Sequence, residues 1–275
     1  MRVAITGATG RVGAFIVAAC RARQQAVLAL SRPAFRLGDA PDLSGCDALV
    51  HCALDHVPER YRGGEGSDPA AFVRNNRDGT IRLFEAARRA GVPRVVFLST
   101  RAIYGEYPAG TRLTEDLPPK PDTLYGEVKW QAEQALAEMT APGFSGASLR
   151  ATGVYGPGPA HKWRTLFQDF AAGKKIAPRR GTEVHGDDLA EAVQILLRTR
   201  ESGAFNASDI VLDRHDLLAR LGAYLKIAHA PPEKSDAPIS VMDCARLSAL
   251  GWRPSGLSGL ERALPAMAAG IVPAA

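Results

Sequence analysis

Arg2-Val-Ala-Ile-Thr6-Gly7-Ala-Thr9-Gly10-Arg11-Val12-Gly13, continued by Ala-Phe-Ile-Val-Ala-Ala-Cys20-Arg-Ala-Arg23, decides the fold. Arg2 to Thr6 reads as a short strand, and the apolar spacing from Val12 to Arg23 reads as a helix. Three glycines lie between and just inside them. Gly7 permits a tight turn, Gly10 lets backbone come close to a bound group, and Gly13 lets the helix pack tightly on the strand. Such a loop aims unpaired backbone N–H groups and the positive end of a helix at an anion. An ordinary glycine-rich turn satisfies the spacing alone. The strand before it and the helix after it favour a cradle for a dinucleotide pyrophosphate.

Outward from this unit, β-like runs alternate with helical patterns. Ala26 to Ser31, Asp47 to Ala53, Arg94 to Ser99 and Ala147 to Arg150 read as strands, and about Pro69 to Ala90 and Tyr125 to Thr140 as helices. The expected class is α/β, a Rossmann-type doubly wound parallel sheet. After Gly156-Pro-Gly158 the alternation loosens, with a short helix near Trp163 to Ala172 and strong helical periodicity again over Asp187 to Thr199. A smaller, interleaved C-terminal lobe follows: residues 1–157 and 184–207 form the dinucleotide domain, and 158–183 and 208–275 the substrate-binding lobe. Asp213 and Asp243 suit the N-caps of two late helices. Trp252 reads as a packing residue. Asp187-Asp188 read as helix-opening charges rather than as an acid/base pair.

With 46% hydrophobic residues in 275, the chain buries a sizeable core. It holds no apolar run near the roughly 18 residues that span a bilayer, and its first residues enter a strand rather than a signal peptide. The expected setting is the cytoplasm, without a membrane partner. Four cysteines match neither a disulfide framework nor a zinc site, and the six histidines include no metal-ligand spacing. No metal is expected. The net charge of +5 comes from 27 Arg and 7 Lys scattered along the chain. This distribution lacks the basic tail or aromatic-interleaved run of a nucleic-acid binder and suits anionic small molecules.

The end of the second strand selects between nicotinamide dinucleotides, since an acidic residue there binds the adenosine ribose 2′-hydroxyl. Here it reads Ala-Leu-Ser31-Arg32. A guanidinium in place of a carboxylate, with Arg11 nearby, matches a 2′-phosphate, so NADP(H) is favoured. NAD(H) stays open, because Arg32 as a solvated loop residue and Asp39 as the ribose partner form a coherent alternative.

Of the six tyrosines, Tyr125 alone is followed four residues later by a lysine, Lys129. On a helix the two share a face. A free tyrosine titrates near 10, and a neighbouring cation draws it toward the range useful for proton transfer at neutral pH.

These segments together resemble an extended short-chain dehydrogenase/reductase of the NAD-dependent epimerase/dehydratase family, over nearly the whole chain. Residues 6–13 are similar to its TGxxGxxG loop, Asp47-Ala-Leu-Val-His51-Cys52-Ala53 to its DxxxHxA strand, and Asn76-Arg-Asp-Gly79-Thr80 to its NxxGT helix. Ser99-Thr100-Arg101-Ala-Ile-Tyr104-Gly105, Tyr125-x-x-x-Lys129, Leu149 to Gly158 and Val184 to Ala190 also resemble family segments. The resemblance implies that Thr100 orients the substrate oxygen, Tyr125 exchanges a proton, and Lys129 holds the nicotinamide ribose while lowering the Tyr pKa. It implies cofactor contacts from Thr9, Val12, Cys52, Ala53, Asn76, Gly153 and Val154, beside the glycines, Arg11, Ser31 and Arg32. Substrate contacts fall to Arg101, Tyr155 and Arg180, and a homodimer forms through residues 69–90 and 125–140.

The chain departs from the family at three places. Arg101-Ala102 stand where family dehydratases carry an acidic pair, which argues against dehydration. Residues 32–46 are too few for the usual helix, strand and loop before Asp47, so the adenine side of the sheet is abbreviated. Gly181 stands where an Arg commonly contacts a nucleotide-sugar diphosphate; Arg179 and Arg180 are close but out of register, and serving the same contact or facing solvent are equal readings of them. The expected activity is hydride exchange between nicotinamide and a hydroxyl or ketone of a sugar-like or other small substrate. A nucleotide-sugar epimerase with retained NAD is the alternative. A non-catalytic NAD(P) sensor would have no use for the Tyr/Lys pair.

Overall fold

A computed structural model of the chain describes residues 1–57, 64–158 and 161–272. The first unit forms as its sequence dictates: β1 (Arg2–Thr6), the glycine loop, and α1 (Arg11–Ala22). Then come β2 (Ala26–Leu30), β3 (Ala48–His51), α2 (Pro69–Val73), a π-helical turn at Arg74–Asp78, α3 (Gly79–Arg89) and β4 (Arg94–Thr100). A 3₁₀ turn at Arg101–Tyr104 leads through β5 (Arg112–Leu113) to α4 (Leu124–Met139) and β6 (Ser145–Ala151). The remaining elements are β7 (Gly153–Tyr155), α5 (Arg164–Ala171), β8 (Arg180–His185), α6 (Gly186–Arg198), β9 (Gly203–Ala207), β10 (Ile210–Asp213), α7 (Arg214–Leu225), β11 (Val241–Met242), α8 (Ala245–Ala249) and α9 (Gly256–Ala268).

Six strands build the main sheet in the order β2-β1-β3-β4-β6-β9, every neighbouring pair parallel. Strands buried on both faces need helices on both sides. On one face α1 and α6 enclose Ile5, Val50, Leu149, Ile16, Leu189 and Val193; on the other α3 and α4 enclose Leu49, Phe97, Phe84 and Leu136. The chain passes from β1 to β2 on one side and returns to β3 on the other, which opens a crevice beyond the carboxyl ends of β1 and β3. β2 is the outer strand of its edge. The segment before β3 lays Phe35 and Leu43 into the core beside Leu28 and Leu30, in keeping with the abbreviated adenine side.

β7, β8 and β10 form a second sheet in the order β10-β8-β7. With α5, α7 and α9 it encloses Tyr155, Trp163, Phe167, Leu218 and Leu260. Residues 153–155 thus already pair in this sheet, ahead of the expected division at 157. Asp213 caps α7 by accepting the His215 N–H at 2.8 Å. Asp187 and Asp188 lie in the first turn of α6, and the cap is His185, whose Nδ1 accepts the Asp187 N–H at 3.2 Å. Asp188 instead ties α6 to the start of α9, accepting from the Ser255 N–H at 3.0 Å and hydroxyl at 2.6 Å. Trp252 is buried and donates its indole N–H to the Asp188 carbonyl at 2.8 Å. Among the described residues no helix is long and apolar enough to cross a membrane.

Candidate active site

A cleft of about 1280 Å³ occupies the crevice and runs on between the two sheets. The glycine loop forms one wall. Gly7 sits at φ +64°, and a β-carbon there would lie 2.9 Å from the Ala53 backbone. A β-carbon on Gly13 would overlap the Gly7 carbonyl oxygen. Both glycines are therefore obligatory for the turn and for α1's close approach. No side chain caps α1, so its amino end faces the cleft with the donors that a pyrophosphate takes. This cradle fits a dinucleotide.

A hydrogen-bonded chain beneath the loop holds it in place. The Thr6 hydroxyl oxygen accepts the N–H groups of Cys52 and Ala53, each at 3.2 Å. Its own proton is then left for His51 Nδ1, 2.6 Å away, and the His51 Nε2–H for the Thr80 hydroxyl at 2.9 Å. Burial holds His51 well below its ordinary pKa, with the Lys129 charge acting in the same direction, so the ring stays neutral in this role. Ser31 Oγ accepts the Thr9 N–H at 3.2 Å and joins the loop to the end of β2.

Thr100, Tyr125 and Lys129 line the cleft near the end of β4. Thr100 closes β4, and its hydroxyl accepts the Ala102 N–H at 3.1 Å to start the 3₁₀ turn. Thr123 caps α4 through the Gly126 N–H at 3.1 Å. Gly126 lets α4 press on that turn, since a β-carbon there would lie 2.6 Å from the Ala102 carbonyl oxygen. Tyr125, the preceding residue, lines the cleft with Thr100 and Lys129. Lys129 is buried, donates to the Leu98 carbonyl at 2.7 Å and stands 4.5 Å from the Phe97 ring centroid. Burial draws its ammonium down to about 8, against the opposing pull of Cys52 and Glu133.

One further helical turn along α4, Glu133 accepts the Ser99 hydroxyl and forms a buried ion pair with Arg150 at 2.8 Å. Arg150 also donates to the Tyr104 hydroxyl at 2.9 Å, and Tyr104 to Asn206 Oδ1 at 2.8 Å. The floor of the site is thus a polar network joining β4, α4, β6 and β9.

At the adenine end Arg11, Ser31, Arg32 and Asp39 line the cleft, and Arg36 joins them. The Asp39 carboxylate accepts the Arg36 N–H at 2.6 Å, an anchoring role within its own loop. Val12, Cys52, Ala53, Gly153, Val154, Arg101 and Arg180 also line the cleft. Two expected site residues do not. Asn76 is buried and spans the loop after β3, accepting the Asp55 N–H and donating to the Asp55 carbonyl, both at 2.7 Å. It shapes the wall from behind. Tyr155 is buried in the second core, stacked on Trp163 with centroids 5.1 Å apart, and α5 and α9 cover it. Arg179, noted beside Arg180 in the sequence, lines the cleft, and sequence reasoning missed Arg36, Lys162, Arg164 and Glu183, which line it too.

A profile of the NAD dependent epimerase/dehydratase family matches residues 3–208. The chain belongs to the NAD-dependent epimerase/dehydratase family. Among family relatives, a UDP-glucose 4-epimerase of Lacticaseibacillus casei is 29% identical over 68% of this chain and 64% of its own length. This chain thus spans just under two thirds of that relative. A 3-diazoavenalumate denitrifying reductase of a Streptomyces sp is 30% identical over 93% of this chain and 96% of its own. The Thermus thermophilus UDP-glucose 4-epimerase, solved in complex with NAD, superposes with a TM-score of 0.78 at 26% identity, covering 98% of this chain and all of that one. This places the chain among the extended short-chain dehydrogenases/reductases.

Proposed function

We propose that this family member transfers hydride between a bound nicotinamide dinucleotide and a hydroxyl or ketone carbon of a sugar-like substrate. The observation that carries this reading is the convergence of the glycine loop, Thr100, Tyr125 and Lys129 on one cleft. When bound, the dinucleotide supplies the hydride acceptor or donor. Thr100 holds the substrate oxygen, Tyr125 gives or takes its proton, and Lys129 biases that proton electrostatically and bonds the nicotinamide ribose. The lobe built on β7, β8 and β10 is assigned to the substrate. Nine basic and three acidic side chains line the cleft, a balance suited to a phosphate-bearing cofactor and a polar or anionic substrate. Screening aldoses, ketoses and simple carbonyls for change in nicotinamide absorbance, with each dinucleotide in turn, tests this reading. No change with any of them, and no epimer formed, overturns it.

Epimerisation with a retained cofactor is the second reading, favoured by the names of several relatives. Gly181 in place of a family arginine weighs against a nucleotide-sugar diphosphate. Isomerised sugar without net absorbance change would select epimerisation.

NADP(H) is our preferred cofactor. Arg32 lines the adenine end without an acidic residue at the end of β2, so Arg32→Ala is expected to weaken NADPH roughly tenfold or more, as for a lost charge-assisted bond of about 1.5–3 kcal/mol. NADH affinity is expected to change little. Equal losses by calorimetry would reassign the site to NAD(H). The same reading includes a homodimer through α2, α3 and α4, for which light scattering at twice the 29.3 kDa chain mass is the expected result; a monomer overturns it.

A further inference from the structure

Lys162 and Glu183 form an ion pair on the cleft wall that the proton-transfer chemistry does not use. Glu183 sits on β8 opposite Gly153 of β7, and Lys162 reaches it from the segment that precedes α5. A β-carbon on Gly153 would overlap both the Lys162 ammonium nitrogen and a Glu183 carboxylate oxygen. The glycine thus makes room for the pair, which fills the space a side chain on β7 would otherwise take. Lys162 lies 5.3 Å from the Trp163 ring centroid, held on its apolar side, and the pair remains 22% and 13% exposed toward the cleft.

A largely buried ion pair adds little net stability against an apolar substitute. Its chemistry points to recognition. Burial lowers Lys162 and raises Glu183, while each partner's charge opposes that trend. The pair presents ammonium donors beside carboxylate acceptors on the wall that also carries Thr152 and Thr182. A hydroxyl both donates and accepts, so it matches such a pair; a C–H in its place leaves the pair's remaining donors and acceptors desolvated without a partner.

Resting on the reading that the cleft binds a sugar-like substrate, we propose that the Lys162–Glu183 pair, seated on Gly153, grips a substrate hydroxyl other than the reacting one and so selects polyhydroxylated substrates over their deoxy analogues.

The test pairs each of a panel of aldoses and ketoses with its single-deoxy analogues. It measures kcat/KM with the preferred dinucleotide and, in parallel, calorimetric binding to the cofactor-loaded protein. For at least one ring position the wild type should prefer the hydroxylated compound by about 10²-fold or more. In Lys162→Met/Glu183→Gln that ratio should fall to within about threefold. Gly153→Ala, which displaces the pair but keeps both charges, should shrink the ratio too. Circular dichroism and Tm verify that each variant is folded. A double variant that keeps the wild-type ratio, or a wild type that turns over simple ketones as well as polyols, overturns this proposal and leaves the redox reading intact. Turnover of nothing in the panel overturns the redox reading, and the binding ratios then decide the role of the pair.

Discussion

Tyr125→Phe is expected to lower kcat by about 10²–10⁴, the range over which a positioned proton donor acts, while leaving dinucleotide affinity within about twofold. The split follows from the geometry. Tyr125 begins the second residue of α4, pressed by Gly126 onto the turn that carries Thr100, whereas the pyrophosphate cradle lies at the glycine loop and α1. A Phe variant with wild-type turnover in the hydride-transfer assay would remove Tyr125 as the proton carrier. Wild-type kcat/KM is also expected to fall on the alkaline side from about pH 8, as the buried Lys129 loses its proton. Stability should move the opposite way. The folded state disfavours the Lys129 proton relative to the unfolded chain, a penalty present in full below about 8 that fades as pH rises toward the ordinary lysine value. Activity and this contribution to stability therefore diverge above pH 8, a signature that general alkaline unfolding would not produce.

Arg150→Met should be the most destabilising single change at the floor of the site. It leaves the Glu133 carboxylate, 4% exposed, with the Ser99 hydroxyl as its remaining partner, and it strips the Tyr104 hydroxyl of a donor. Breaking a buried pair by removing one partner costs about 3–5 kcal/mol, which for a chain of this size lowers Tm by roughly 10 °C. Removing both charges in Glu133→Leu/Arg150→Met should recover at least half of the loss, because no charge is then stranded. If the double variant melts no higher than the single one, the network contributes through shape rather than charge. Activity should suffer in both, since Ser99 immediately precedes Thr100.

Much of this was legible in the sequence, and the reason is locality. The glycine loop lies within one strand–turn–helix unit, and Tyr125, Lys129 and Glu133 follow one another at four-residue intervals on one helix. Read one interval further, the same spacing would have flagged Glu133. The short segment 32–46 likewise revealed the abbreviated sheet edge, because chain length limits what can be built. Other features depend on tertiary pairing. Asn76 and Tyr155 sit in segments that resemble family motifs, yet a motif does not say which way a side chain faces, and both turn inward. The Lys162–Glu183 pair has no local signal, since one member lies on β8 and the other in the segment before α5, and only the folded chain brings them together. His185 caps α6 because it immediately precedes the helix, and the bond from Ser255 of α9 to Asp188 of its first turn joins a partner distant in sequence.

The abbreviated edge bears on how a dinucleotide is gripped. The segment carrying Arg32, Arg36 and Asp39 has no outer strand to lean on, and Phe35 pins it instead by entering the core beside Phe84 and Leu28. The backbone that carries these charged groups is therefore ordered when the chain folds rather than when ligand arrives. Discrimination between dinucleotides then becomes partly a property of apolar packing. A cavity opened at Phe35 would loosen the recognition of a phosphate that Phe35 itself never touches.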